Sequence, residues 1–445
     1  MVAASKAAAS DLIAAAAAPA AIDPDWAAAD AIVAAIRPPL IPAARFTITD
    51  FGAKQDAPAH VAVQAAVDAA AAAGGGRVVV PEGVWRMNGA LHLRSNVELH
   101  LESGAVLRFG KPGEIALPMV LTRWEGTEVY NFSPLIYARD CENVAITGNG
   151  MFDGQGKDGF YRWRGQQDAD KAALRDMGTK GVPVEKRVFG PGHYLRPAFV
   201  QFFNCRNVMI DGPKFVDSPF WTIHPVYCDG VIVRNIAVVS KHLNSDGCDP
   251  DSCTNVLIEK CHFDVSDDCI AIKSGRDQDG WRVARPTKNV VIRDCRMRTD
   301  IAAAIAIGSE MSGGAANIFA ERIQVKRAEH AIYFKANLER GGVVEQVRVR
   351  DVKVANTNTL INFTTSYHGG RRGKSPPTYK GFTVESVDCR NTGQALHIVG
   401  VPQAPVQDVL IRNVTVATAT ATAPAVIQHT RDLRLDQVRV NGQYL

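Results

Sequence analysis

The sequence has little net charge for its length, no paired cysteine motif and no long hydrophobic run, and each absence closes off a class of protein. A formal charge of +4 on 445 residues is far from the basic density of a nucleic-acid-binding domain, although it leaves room for a local basic groove. No stretch of about eighteen strongly apolar residues occurs, so a membrane-spanning helix is not expected. The nine cysteines are an odd number and never fall in the Cys-x-x-Cys spacing that holds zinc. They read as small buried hydrophobes, with a disulfide between Cys248 and Cys253 left open. No metal and no cofactor is expected, and the chain is expected to act as a monomer.

Residues 1–42 form an alanine-rich segment, read as a possible export-signal remnant and a linker. Its first part, Met1 to Ala21, carries one lysine and a weak apolar stretch around Leu12 to Ala18, which resembles the remnant of an export signal. A periplasmic or secreted location is the expectation, and a single domain is expected over residues 43–445.

What the sequence has in abundance is one short motif, Asn-Val-x-Ile-x-x. It appears at Asn96, Asn143, Asn207, Asn255 and Asn289, with Gly230 heading a related copy and looser copies at Asn317, Gln346, Phe382, Asp408 and Leu433. From Asn207 onward the copies recur every 23 to 35 residues or so, a period of solenoid type. Each copy alternates apolar with polar residues, as a half-buried strand does. A propeller blade needs four strands per unit, and a leucine-rich repeat needs its leucine ladder; neither fits. The pattern therefore predicts an all-β fold, a right-handed single-stranded parallel β-helix. The leading asparagine tolerates a left-handed backbone, and stacked copies can bond along the helix axis.

A β-helix needs a lid, and Ala62 to Ala73 read as an amphipathic helix with Val63 and Val67 on one face. Gly74-Gly75-Gly76 end it and a strand, Arg77 to Val80, follows. Between about 155 and 197 the repeat breaks into a polar stretch bearing Tyr161, Trp163, Arg164, Arg187, His193, Tyr194 and Arg196. In a solenoid such insertions map to loops on one face, often the binding face.

The densest chemical constellation is Asn244-Ser245-Asp246-Gly247 followed by Asp267-Asp268-Cys269. Asp246 and the Asp pair are about one coil apart, so stacking places them on neighbouring coils, about 4.8 Å apart. Three carboxylates that close cannot all ionise freely, and they titrate as a set. A neutral carboxylic acid beside ionised ones is the equipment of glycoside hydrolysis. Turn formation and calcium ligation are the competing readings of the same residues.

These motifs, with Ile307-Gly308-Ser309-Glu310 and Phe334-Lys335 on later repeats, resemble glycoside hydrolase family 28, the polygalacturonases, and above all bacterial exo-acting forms. The likeness extends from about Ala43 onward, through Thr122-Arg123-Trp124-Glu125-Gly126, Ser133 to Tyr137, Tyr194 to Pro197, Ser218 to Pro225 and Ile270 to Gly275. It implies that Asp267 is the general acid, and that Asp246 and Asp268 activate water, cleaving pectic galacturonan from a chain end with inversion.

The family pattern runs Asn-Thr-Asp, Asp-Asp, Gly-His-Gly and Arg-Ile-Lys. Here Ala302 stands where the histidine belongs, and Tyr333-Phe334-Lys335 keeps the lysine and loses the arginine. An arginine binds a carboxylate bidentately and tyrosine cannot, so the leaving-side sugar is open to being neutral, esterified or differently linked. Candidate sugar-binding positions are Asn244, Lys273, Arg276, Ser309, Glu310, Tyr333, Lys335 and His224, the two lysines reading as often as solvated charges on a strand and the histidine equally as a satisfied core residue. Trp124, Trp163, Trp221 and Trp281 are candidates for stacking on sugar rings. Three functions compete with plain galacturonan hydrolysis: hydrolysis of rhamnogalacturonan or another modified uronide, calcium-dependent elimination, and sugar binding without catalysis.

Overall fold

The computed structural model describes residues 24–369 and 373–445; the possible export-signal remnant, Met1 to Ala21, lies outside them. Parallel strands stack coil upon coil into one 24-stranded sheet wrapped around a central column. Register partners confirm the repeat. Arg206 pairs with Asp229, Asp229 with Thr254, Thr254 with Lys288, and Thr287 with Ala315. The later coils run continuously around their corners, so that Val343–Thr364 stays in register with Ala315–Lys335 from Val344 to Thr364.

The alternation in the sequence becomes columns of like residues inside. Val208, Val231, Val256, Val290, Ile318 and Val347 form one, and Ile210, Val233, Ile258, Ile292, Ala320 and Val349 another, all buried. Each valine or isoleucine in them contributes roughly 1.5–3 kcal/mol of burial, repeated from coil to coil. Phe152 and Phe215 stack in the same way, with centroids 4.9 Å apart. All nine cysteines are free thiols, eight of them buried; Cys248 and Cys253 are not bonded to each other, and both are core residues.

Asn96, Asn143, Asn207, Asn255, Asn289 and Asn317 all adopt positive φ between 51° and 62°. Their side chains bond from coil to coil: Asn143 to Asn96 at 3.0 Å, Asn207 to Asn143 at 3.3 Å, Asn289 to Asn255 at 2.9 Å and Asn317 to Asn289 at 3.0 Å. The ladder is interrupted where Gly230 takes the turn, and there Asn255 donates instead to Asp229.

The lid helix α2 covers His60–Ala72 and buries Val63, Ala66, Val67 and Ala70 against the first coil. Gly75 ends it at φ 126°, where a Cβ would lie 2.5 Å from the Asn96 carbonyl oxygen, so glycine is required. Within the segment read as a linker, residues Pro24–Ala35 form a helix, here α1. Trp26, Ala29, Ile32 and Ile36 pack it onto Ile232, Leu257, Val291 and Phe319, which point outward from the sheet. An outward apolar residue on four neighbouring strands, read from sequence as mere half-burial, was the trace of this docked helix.

The insertion carries a third helix, α3, at Gln167–Thr179, and a strand, Val188–Phe189, that extends the hairpin of Met119–Trp124 and Thr127–Phe132. A short helix α4 at Asp277–Val283 packs against α3.

The asparagine ladder makes a stability prediction. Asn289→Ala removes two inter-coil hydrogen bonds and leaves a residue with a Cβ in the left-handed region, at a cost of about 1–2 kcal/mol. Denaturant unfolding should show a lowered midpoint, whereas Lys288→Ala, an exposed neighbour on the same strand, should leave the midpoint in place.

Candidate active site

Asp267 and Asp268 lie in the turn between the strands His262–Val265 and Ile270–Ile272, and Asp246 lies on the preceding coil, where Gly247 N–H donates to the Asp268 carbonyl at 2.9 Å. One oxygen from each of the three carboxylates lies within 4.8 Å of the others. They open into a cleft of about 800 Å³. The coil-to-coil register thus brings the trio together.

The three groups are held differently. Asp268 is buried; its Oδ1 accepts from Ala303 N–H at 2.9 Å and its Oδ2 from Lys335 Nζ at 2.5 Å. Among the described residues Asp267 accepts only neutral backbone donors, from Asn244 N–H at 2.9 Å and from Asp268 N–H at 3.0 Å. Burial, and then the neighbouring Asp268 carboxylate, push its pKa up, with Lys335 pulling the other way. Asp246 is raised well above the usual range, first by burial and then by Asp267 and Asp249. Burial also raises Asp249 well above the usual range, so a proton is most readily kept by Asp246, Asp249 or Asp267, and the set shares it.

Beneath the trio sits a buried ion cluster. Lys273 Nζ is 3.3 Å from Glu310, 3.7 Å from Asp249 and 3.9 Å from Asp246, and it lies 4.2 Å from the centre of the Trp221 ring. Burial alone would lower the Lys273 pKa, but Glu310 and the two aspartates outweigh it and keep the ammonium charged. Burial would likewise raise Glu310, but Lys273, Arg276 and Arg340 hold it well below the carboxylate range. The alternative reading of both lysines as solvated charges is corrected: Lys273 and Lys335 are 3% and 5% exposed. Each supplies, beside Asp246 and Asp268, the positive charge that a calcium ion would bring.

The cleft is lined by Asn244, Lys273, Arg276, Ser309, Glu310, Tyr333 and Lys335, as the sequence suggested. His224 is not among the lining residues. It is 1% exposed, with Nδ1 2.9 Å from Gln201 Nε2 and Nε2 3.4 Å from Asp251, which also pairs with buried Arg123 at 2.8 Å. Burial lowers its pKa, and a neutral ring donating from Nε2 satisfies both neighbours, so the core reading is the correct one. Of the tryptophans, Trp221 reaches the cleft; Trp124 is stacked under Phe220 with centroids 5.2 Å apart.

Sequence reasoning missed Asp249, buried under Asp246 with Lys273 as its cation, although it lies three residues on in the same motif. It also missed Arg340, Tyr367 and His330, which the coil register brings in from later repeats. The insertion supplies Arg164, Gln167, Asp168, Lys171 and Arg175 to the cleft wall. Arg196 ties that wall to the catalytic motif, donating to Gln167 at 2.9 Å and to Asn244 at 2.6 Å. Ala302 and Tyr333, the two departures from the family pattern, both line the cleft, with the Tyr333 ring 4.1 Å from that of His330.

A parallel β-helix with clustered carboxylates in a cleft that also carries lysines and arginines fits a polysaccharide-cleaving enzyme. Residues 114–431 match the sequence profile of Glycosyl hydrolases family 28, and the chain belongs to that family. It is 31% identical to a probable polygalacturonase of Vitis vinifera over 77% of this chain and 67% of that one. It is 25% identical to an endo-polygalacturonase of Pectobacterium carotovorum subsp. carotovorum over 69% and 71%. A hyperthermoactive exopolygalacturonase from Thermotoga maritima has a similar structure, with a TM-score of 0.89 at 37% identity over 95% of this chain and 97% of that one. The protein is a pectin-degrading glycoside hydrolase that cuts O-glycosidic bonds, and the elimination and binding-only readings fall away.

The raised carboxylates link stability to pH. A carboxyl whose folded pKa lies above its unfolded value stabilises the fold below the unfolded pKa, and that contribution is lost as pH rises through the folded one. Asp246→Asn removes a group of this kind. Its melting temperature relative to the parent should therefore rise between pH 4 and pH 7 or so, and a difference that does not change with pH would contradict the assignment.

Proposed function

We propose that the protein hydrolyses galacturonic-acid-containing pectic chains from one end, with inversion at the cleaved carbon. The supporting observation is the wall that the insertion builds: α3 contributes Gln167, Asp168, Lys171 and Arg175 to the same cleft as the three aspartates. A cleft bounded by an inserted wall favours a chain end over the middle of a polymer. Arg164, Lys171, Arg175, Arg276 and Arg340 bring cationic hydrogen-bond donors to it among acidic neighbours such as Glu125, Asp168 and Glu310, and such donors suit a uronate. Such a polymer does not cross a membrane, so secretion or the periplasm is the setting that fits this reading.

In this reading Asp267, partly exposed to the cleft and held by neutral donors alone, protonates the leaving oxygen. Asp268, fixed against Lys335, takes the proton of the attacking water, and Asp246 orients that water beside it. Carboxylate oxygens within 4.8 Å are closer than the roughly 6.5–9.5 Å separation typical of inverting pairs. The water must therefore sit beside the cluster, held by Asp246 and Asp268 together, rather than in a gap between two facing carboxyls. On the leaving side, Tyr333 offers a ring and a hydroxyl where the family pattern has a guanidinium. This favours a neutral, esterified or differently linked sugar there and keeps rhamnogalacturonan among the substrates.

Digestion of polygalacturonate and rhamnogalacturonan fragments tests the assignment. The expected early product is a single small saccharide, and proton NMR should show the new reducing end in the anomeric form opposite to the bond cut. Long oligomers as first products would overturn end-wise action, and a retained anomer would overturn inversion. Asp267→Asn should fold normally and lose about 10²–10⁴-fold in kcat, the range for removing a general acid.

A further inference from the structure

Apart from the catalytic cleft, the molecule carries a second large concavity, a trough of about 860 Å³ on the neighbouring face of the solenoid. It is built on the second strand of each coil. One turn, the turn that carries Asp267 and Asp268, separates that strand from the catalytic face.

The trough floor is set by the stacking register. Arg296, Gln324, Lys353, Asp388 and Thr415 follow one another on successive coils. A second outward row beside them holds Lys326, Ala355, Arg390 and Ala417. The alanines make the hollow, and Arg296, Lys326, Lys353 and Arg390 place one exposed cation on each of four consecutive coils. Lys326 stands where the register slips between Met297 and Arg298, and a bulge of this kind re-aims a side chain.

Elsewhere the fold neutralises its stacked arginines. On the first-strand face Arg77 pairs with Glu98, Arg234 with Asp211, Arg293 with Glu259, Arg322 with Asp294 and Arg350 with Glu321. In the trough, Arg298 is neutralised by Asp264 and Asp300. The other four cations have no carboxylate within ion-pairing distance among the described residues, although Asp388 is the register neighbour of Lys353. Coils about 4.8 Å apart lie well inside the roughly 8 Å screening length of physiological salt, so these charges repel one another and jointly attract an anion.

We propose that this trough is a second polysaccharide-binding site, which takes an anionic polyuronate along the solenoid axis and holds long substrate beside the catalytic cleft. A linear polymer with one carboxylate per sugar complements a row with one cation per coil. A hollow lined by alanine accepts a sugar ring, and the trough spans several coils. The proposal rests on the pectic reading of the cleft for its ligand class.

The test compares Lys353→Glu/Arg390→Glu with its parent, both in an Asp267→Asn background and with excess digalacturonate filling the cleft. Binding to polygalacturonate, neutral dextran and duplex DNA is measured at low and physiological salt. The parent should bind polygalacturonate in a salt-dependent way and ignore dextran. The double variant, melting at the parent temperature, should bind it about tenfold more weakly, in line with the effect of a single-sign cleft on a charged ligand. In the active enzyme the same pair should raise KM for long polymer and leave hydrolysis of a short oligomer unchanged. Equal binding by parent and variant would overturn the proposal, as would equal affinity for DNA through the same two residues. If the wild-type enzyme releases no sugar from any galacturonan while the trough binds polygalacturonate, the catalytic reading fails and this one stands.

Discussion

The structure depends on the in-register hydrogen bonding of each coil to the next. Parallel rungs at about 4.8 Å turn a residue repeated along the chain into a residue repeated in space, which is why aliphatic columns, cysteines and asparagines all line up. No single coil buries its own apolar face, so stability is distributed over neighbour-to-neighbour contacts, as in other solenoids. The asparagines matter because each solves two problems at once: the left-handed turn and the unsatisfied polar edge between coils.

The same register brings charge into the interior at the site. Asp246, Asp267, Asp268, Asp249 and Glu310 would be untenable together without Lys273 and Lys335. The cations are placed unequally. Lys335 locks Asp268 at 2.5 Å and Lys273 is shared among Asp246, Asp249 and Glu310, while Asp267 meets backbone N–H groups only. That inequality, rather than the count of carboxylates, sets Asp267 apart from its neighbours. The replacements at Ala302 and Tyr333 leave this arrangement whole and change the cleft lining around it.

Two additions shape the solenoid without altering its core. The insertion at α3 walls the cleft and is fastened to the catalytic turn by Arg196, whose guanidinium reaches Gln167 and Asn244. Helix α1 covers outward apolar residues on four strands that would otherwise face solvent. Both are long-range contacts, made by segments that lack the repeat.

By itself the sequence determined the repeat, and with it the fold, the lid helix, the asparagine turns and the stacking of Asp246 over Asp267 and Asp268, because each follows from a local pattern and a period. The family motifs carried most of the cleft positions for the same reason. Tertiary structure alone decided that His224 belongs to the core beside Asp251, that Lys273 and Lys335 are buried partners rather than solvated charges, and that Arg340, His330 and α3 reach the cleft. Those outcomes turn on which way a side chain points and on contacts between residues far apart in the chain, and periodicity is silent on both.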